Sequence, residues 1–297
     1  ALKLFTSVLA GIRSYASIME VENYRKSLED KVKERTKELA EKNLSITSSI
    51  SYAGRIQNAL LPLREEIDGL LPSWFILNKP RDIVSGDFYW IARKREKIVV
   101  AVGDCTGHGV PGAFMSILGI STLNEVVSKS EYLKPDEILN RVREQVIRSL
   151  HQTGRDDETR DGIEIALCVF DFPKKKLQFS GAFRPLYLVR DNSLQEFKGD
   201  FMPIGIYDDK ERPFSSKELD LKENDTIYLF SDGYVDQIGG PDRKTFRAKK
   251  FKQLLTDIHR EPINEQKEIL EKKHEEWKGN MVQIDDILVL GIRFSER

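Results

Sequence analysis

Ile98-Val99-Val100-Ala101-Val102-Gly103-Asp104-Cys105-Thr106-Gly107-His108-Gly109 joins an unbroken apolar run to an aspartate and a glycine-containing turn. A short run of this kind, rich in β-branched residues and bounded by turn residues, predicts a strand buried on both faces. The carboxylate at its end then points at whatever sits above the sheet edge. The same grammar recurs in Thr226-Ile227-Tyr228-Leu229-Phe230 followed by Ser231-Asp232-Gly233. Two further acidic sites look alike, Gly86-Asp87-Phe88-Tyr89-Trp90 and Gln283-Ile284-Asp285-Asp286-Ile287-Leu288-Val289-Leu290. Taken singly, an Asp beside Gly is a common turn residue for steric and hydrogen-bonding reasons. Four such sites on four strand edges point to one oxygen-lined pocket.

Outward from these runs, strands are predicted at 74–78, 87–93, 97–102, 163–170, 177–180, 186–190, 226–230 and 287–294. Helices are predicted at 111–128, 135–150, 246–258 and 263–277, the first two opened by Pro at a first-turn position. Strands, two helices, more strands, two helices and a last strand do not make the strict alternation of a doubly wound sheet. The order fits an α+β fold with helices packed on antiparallel sheets. The polar stretch at 151–162 reads as a loop whose length marks it as functional or mobile.

Before Pro62 the grammar differs. Residues 2–19 read as a helix, and residues 21–60 are rich in Glu, Lys and Arg with no Pro and only Gly54, a composition that favours helix throughout. Val32, Leu39, Ile46, Ala53 and Leu60 recur every seven residues and draw one apolar row of a coiled coil. The second row, Leu28, Arg35, Lys42, Ser49 and Ile56, is polar in its middle. A homodimer through this helix and a single solvated helix are equally compatible with the pattern. The expected organisation is a helical linker over 1–60, whose first residues read as the end of an upstream sensor domain of GAF type, and a folded domain over 61–297.

Composition narrows the function. With 47 Lys+Arg against 48 Asp+Glu the net charge is −1, which gives no electrostatic reason to capture nucleic acid or an anionic membrane. Two cysteines and four histidines argue against a disulfide framework and structural zinc, and for a cytoplasmic location. No membrane span or signal peptide is expected. Carboxylates without His or Cys partners select a hard cation, Mg²⁺ or Mn²⁺. Two such ions sharing a carboxylate activate a water and neutralise the phosphoryl group it attacks, the chemistry of phosphate ester hydrolysis.

The four motifs, in this order, resemble those of the metal-dependent protein phosphatases (the PPM family), within the SpoIIE-like and RsbU-like bacterial branch. The resemblance covers residue 60 to the end. It rests on Gly86-Asp87-Phe88-Tyr89-Trp90, on Asp104-Cys105-Thr106-Gly107-His108-Gly109-Val110-Pro111-Gly112-Ala113, on Ser231-Asp232-Gly233 and on Asp285-Asp286-Ile287. It implies a four-layer αββα sandwich with two central antiparallel sheets, a two-metal centre and serine/threonine phosphatase activity. By the same resemblance Asp104 bridges both ions, Asp87 and the backbone carbonyl of Cys105 serve one, and Asp232 and Asp285 serve the other, leaving Asp286 structural. The implied partner is a phosphorylated regulatory protein of the anti-anti-sigma-factor kind.

One motif departs from the family pattern. Where many relatives have Asn-Ala-Gly-His-x-Pro, this chain has Ser180-Gly181-Ala182-Phe183-Arg184-Pro185. Arg184 is expected to extend into solvent rather than meet a phosphate, as are Lys79 and Arg81. His108 has an ordinary pKa near 6.5 suited to a general acid but no visible partner. Cys105 lacks the phosphate loop ending in Arg that a thiol nucleophile needs, because position 111 is Pro. The alternative to an enzyme is a non-catalytic signalling module that keeps the fold and binds a partner. A histidine kinase is excluded, since residues 20–60 contain no His.

Overall fold

The chain runs α1 (Leu2–Leu60), α2 (Arg64–Asp68), β1 (Trp74–Lys79), β2 (Phe88–Lys94), β3 (Lys97–Cys105), α3 (Gly109–Lys129), α4 (Pro135–Ser149), β4 (Ile163–Asp171), β5 (Lys176–Ala182) and β6 (Leu186–Arg190). It continues with β7 (Ser193–Phe197), β8 (Lys217–Asp220), β9 (Thr226–Phe230), α5 (Gly233–Asp236), β10 (Ile238–Gly239), β11 (Lys244–Thr245), α6 (Ala248–Ile258), α7 (Ile263–Lys278) and β12 (Ile287–Arg293). This computed structural model describes residues 2–131, 134–155, 161–207 and 212–295. Part of the loop predicted at 151–162, namely 156–160, lies outside the described residues.

Two compact units divide the chain, one up to Tyr52 and one over Ala53–Arg297. The first is the body of α1. Ion pairs one helical turn apart line it, Arg25 with Glu22 at 2.6 Å, Arg35 with Glu38 at 2.7 Å and Lys42 with Glu38 at 2.8 Å. Val32, Leu39 and Ile46, the better heptad row, are exposed.

In the second unit two five-stranded sheets stack, with orders β1-β12-β9-β6-β7 and β2-β3-β4-β5-β8, and the ladders within both are antiparallel. Alternate residues of each strand enter different cores, which is why the strands read as continuous apolar runs. On β3, Ile98, Val100 and Val102 face the other sheet, while Val99 and Ala101 pack beneath α3 and α4 with Leu123, Leu139 and Val142. On β12, Leu288, Leu290 and Ile292 join the inter-sheet core, and Ile287 and Val289 pack beneath α6 and α7 with Phe251 and Leu270. The result is the expected αββα sandwich. Of the strands missed from sequence, β7 and β8 lie at sheet edges where polar, exposed side chains hide any apolar run, and β10 and β11 are a separate ladder only two residues long.

α3 is long and apolar enough to cross a membrane by length and composition. It instead packs on the sheet, with Ile120, Leu123 and Val127 in the core, so its apolar character is that of a buried helix.

The last turns of α1 belong to the second unit. Gln57 is buried there; its Nε2 donates to Ser85 O (2.5 Å) and Ser116 Oγ (2.7 Å), and its Oε1 accepts the Ser85 N–H (3.1 Å). Gly54 packs close to the Ile83 carbonyl.

Candidate metal centre

Antiparallel pairing gathers the carboxylates. Because Phe88 pairs with Gly103, the start of β2 lies beside the end of β3, and Asp87 is brought next to Asp104. Because Val289 pairs with Phe230, the start of β12 lies beside the end of β9, which brings Asp285 to Asp232. The two pairs come from different sheets and feel each other: Asp87, Asp232 and Asp285 each interact electrostatically with Asp104, or with one another through it. β3 is longer than predicted. It runs through Asp104 to Cys105, with Asp104 opposite Glu164 and Cys105 opposite Ile163 on β4.

Tight turns then carry the chain away. Gly107 has φ = 84°, a left-handed conformation that favours glycine. Asp232 is the residue before α5, and the following Gly233 is required because a Cβ there would collide with the Asp286 carbonyl. The carbonyls of Gly107 and Cys105 both lie against Gly86, beside Asp87.

The electrostatics describe a cluster short of positive charge. Burial pushes Asp87 well above the usual carboxylate range, helped by the charge of Asp104. Asp104 is raised to about 7, again chiefly by burial; Arg184 pulls it down and Asp232, Asp285 and Glu164 push it up. Burial likewise raises Asp285 and Glu164. Asp87 Oδ2 is buried with no hydrogen-bond partner among the described residues. An acceptor-only atom left so is costly unless a cation meets it.

Asp286 does a different job from its neighbour. It is buried, its Oδ1 accepts the Arg81 N–H and its Oδ2 the Gly86 N–H, both at 2.7 Å. It fixes the segment that delivers Asp87. Arg81, expected in solvent, keeps an exposed side chain whose Nη1 donates to Ile284 O at 2.9 Å. Lys79, also expected in solvent, is instead held by Glu275 at 2.5 Å and Glu271 at 3.4 Å on α7. His108 is exposed, with Nδ1 3.2 Å from Asp82 Oδ2. Burial pushes the Cys105 thiol up, against any role as nucleophile.

The largest departure is Arg184. Far from solvent, its side chain is 11 % exposed, and Nη2 lies 2.8 Å from Asp104 Oδ2, 2.8 Å from Glu164 Oε2 and 2.7 Å from Asp232 Oδ2. The physical reason is the carboxylate cluster itself, which draws in a mobile cation from the β5–β6 turn. Glu164 was missed as well. The signal was there, since it is the one acidic residue inside the buried run 163–170.

Among the described residues no three His, Cys, Asp or Glu side chains are already closed around a point as a metal cage. A guanidinium stands between them instead. The all-oxygen donor set, the orphaned Asp87 Oδ2 and the attraction of Arg184 into the cluster all fit hard cations. The site lies at an open end of the sandwich. A cavity of about 450 Å³ lined by Leu70, Arg93, Arg95, Phe172 and Phe294 is at the opposite, β2–β3 turn end and takes no part in it.

Comparison with known proteins agrees with this architecture. Residues 94–295 match the family model of Stage II sporulation protein E (SpoIIE). The chain is 28% identical over 202 residues to phosphoserine phosphatase RsbU of Bacillus subtilis, covering 64% of this chain and 54% of RsbU. It therefore spans about half the length of that relative. The SiaA-PP2C domain of Pseudomonas aeruginosa superposes with a TM-score of 0.77 at 32% identity, over 85% of this chain and 98% of that domain. The PP2C domain of Bacillus subtilis SpoIIE, with a fragment of its regulatory domain, shares the fold at a TM-score of 0.63 and 18% identity, over 76% of this chain and 62% of that one. With the family model matched over residues 94–295, which hold Asp104, Asp232 and Asp285, the chain belongs to the SpoIIE family of PP2C-type (PPM) serine/threonine phosphatases.

Proposed function

We propose that the chain hydrolyses phosphoserine or phosphothreonine on a regulatory protein of bacterial signalling, using two Mn²⁺ or Mg²⁺ ions. The observation that carries this reading is the convergence of Asp87, Asp104, Asp232 and Asp285 on one end of the sandwich, with a buried carboxylate oxygen of Asp87 unpartnered among the described residues. Asp104 would hold both ions. Asp87 and the Cys105 carbonyl would complete one, and Asp232 and Asp285 the other. When bound, the ions supply a water nucleophile active at neutral pH and neutralise the phosphoryl oxygens.

The remaining work falls to the chain. Asp286 anchors the Gly86 amide and so the backbone that presents Asp87. The open edge, where Asp232 and Glu164 keep side-chain exposures of 36% and 39%, admits a phosphorylated side chain displayed on another protein. Without cations these carboxylates would repel a phosphate dianion. Hydrolysis of an aryl phosphate and of a phosphoserine peptide, with Mn²⁺ and with chelator, tests the reading. Turnover restored only by Mn²⁺ or Mg²⁺ is expected. Metal-independent turnover would sink it, and none with either ion would favour the non-catalytic module.

We further infer that the helix ahead of Ala53 pairs with a second copy of the chain through Val32, Leu39 and Ile46, which lie exposed in one heptad row. Arg35, Lys42 and Ser49 in the other row keep the pairing weak. Sedimentation should show a dimer for the chain and a monomer for Leu39→Asp. A monomer for the unsubstituted chain at tens of micromolar, on the order of the affinity a marginal seam gives, would refute the pairing.

A further inference from the structure

Arg184 lies where the two-metal reading needs positive charge. The turn that launches it is fixed by backbone bonds: the Phe183 N–H donates to Asp200 O at 2.8 Å and the Arg184 N–H to Ala182 O at 2.6 Å, with Phe183 at φ = 57°. From this base Nη2 reaches Asp104 Oδ2, Asp232 Oδ2 and Glu164 Oε2 together. Burial opposes its charge, and the three carboxylates outweigh burial and raise it further. Nε is buried without a hydrogen-bond partner among the described residues. The contact is therefore made by one end of the guanidinium and is not the fully satisfied fork of a structural arginine.

We propose that Arg184 is a built-in competitor of the metal ions, neutralising Asp104 and Asp232 when metal is absent and giving up these oxygens when metal binds. The proposal rests on the two-metal reading. Its basis is that two of the three oxygens Arg184 uses belong to the residues assigned as bridging and single-ion ligands. A divalent cation on those oxygens would stand within a few ångströms of the guanidinium, and two cations that close repel. Glu164 supplies the way out. It is not an assigned ligand and lies nearer solvent than Asp104, so Arg184 can keep it as partner while releasing the other two. Metal affinity is then lower than the carboxylates alone would give, and the guanidinium offsets part of the carboxylate repulsion in the metal-free centre.

The test is Mn²⁺ titration calorimetry of the chain and of Arg184→Ala and Arg184→Lys, with thermal melts in chelator and in Mn²⁺. Arg184→Ala should bind Mn²⁺ about tenfold more tightly, a conservative share of the charge-assisted contacts it removes. In chelator it should melt below the unsubstituted chain, and Mn²⁺ should close that gap. Arg184→Lys keeps the charge as a single point with fewer donors, so its Mn²⁺ affinity should lie between the two. If Arg184→Ala does not fold, the Lys variant decides alone: tighter than unsubstituted supports competition. Affinity equal to or weaker than that of the unsubstituted chain, in whichever variant folds, overturns it. Failure of all three proteins to bind Mn²⁺ would instead remove the two-metal reading on which the competition rests.

Discussion

Asp104→Ala is expected to lower Mn²⁺-dependent turnover of a phosphoserine peptide at least about a thousandfold, because in the proposed two-metal centre several kcal/mol of charge stabilisation would depend on the ions Asp104 is assigned to hold. No other carboxylate of the cluster has the same position. It lies on the interior strand β3, interacts with Asp87 just before β2 and with Asp232 and Asp285 at the ends of strands in the other sheet, and shares Arg184 with Asp232. Its loss should leave the fold intact. Its hydrogen bond to Arg184 can be taken over by Glu164 and Asp232, and removing one of several like charges relieves repulsion. A melt within a few degrees of the unsubstituted chain, together with lost turnover at saturating Mn²⁺, would place the defect in the centre. Asp104→Asn, which keeps the shape and loses the charge, should be nearly as inactive. Retention of a tenth or more of the turnover by either variant would show that Asp104 does not bridge.

How much of this was legible depends on what each residue does to the local pattern. Asp104 and Asp232 terminate apolar runs, so period and punctuation expose them. Asp87 and Asp285 stand before such runs and are read the same way. What sequence spacing does not carry is the antiparallel register that turns four strand ends into one site, since that is set by pairings such as Phe88 with Gly103. Arg184 follows a strand and precedes a proline, which is how a solvated turn cation looks. Its burial is caused by carboxylates from strands far away in sequence. Gln57 sits in a helix whose grammar is that of an exposed surface, and only the hydrogen bonds with Ser85 and Ser116 show that the helix end is inside. β7 and β8 are edge strands whose pairing is dictated by their neighbours rather than by their own composition.

Asp286→Ala is the substitution expected to cost the most stability, although its neighbour Asp285 is the assigned ligand. Two backbone N–H groups, of Arg81 and of the buried Gly86, donate to its carboxylate at 2.7 Å. Hydrogen bonds to a charged group contribute about 1.5 to 3 kcal/mol each, and a buried donor left unpaired adds its own penalty. An opposing effect exists, because the Asp286 charge also raises Asp87, and its removal eases that repulsion. It is the smaller of the two: burial and Asp104 act on Asp87 more strongly than Asp286 does. The net loss should be about 3 kcal/mol, which for a unit of this size lowers the melting temperature by roughly 6 to 12 °C. Asp286→Asn keeps one acceptor oxygen and should lose about half as much. The segment freed by the substitution is the one that ends at Asp87, so Mn²⁺ affinity should fall with stability even though Asp286 is not assigned to either ion. A variant that melts like the unsubstituted chain would mean that the two amides find other acceptors, and that the order of the segment before Asp87 does not depend on β12.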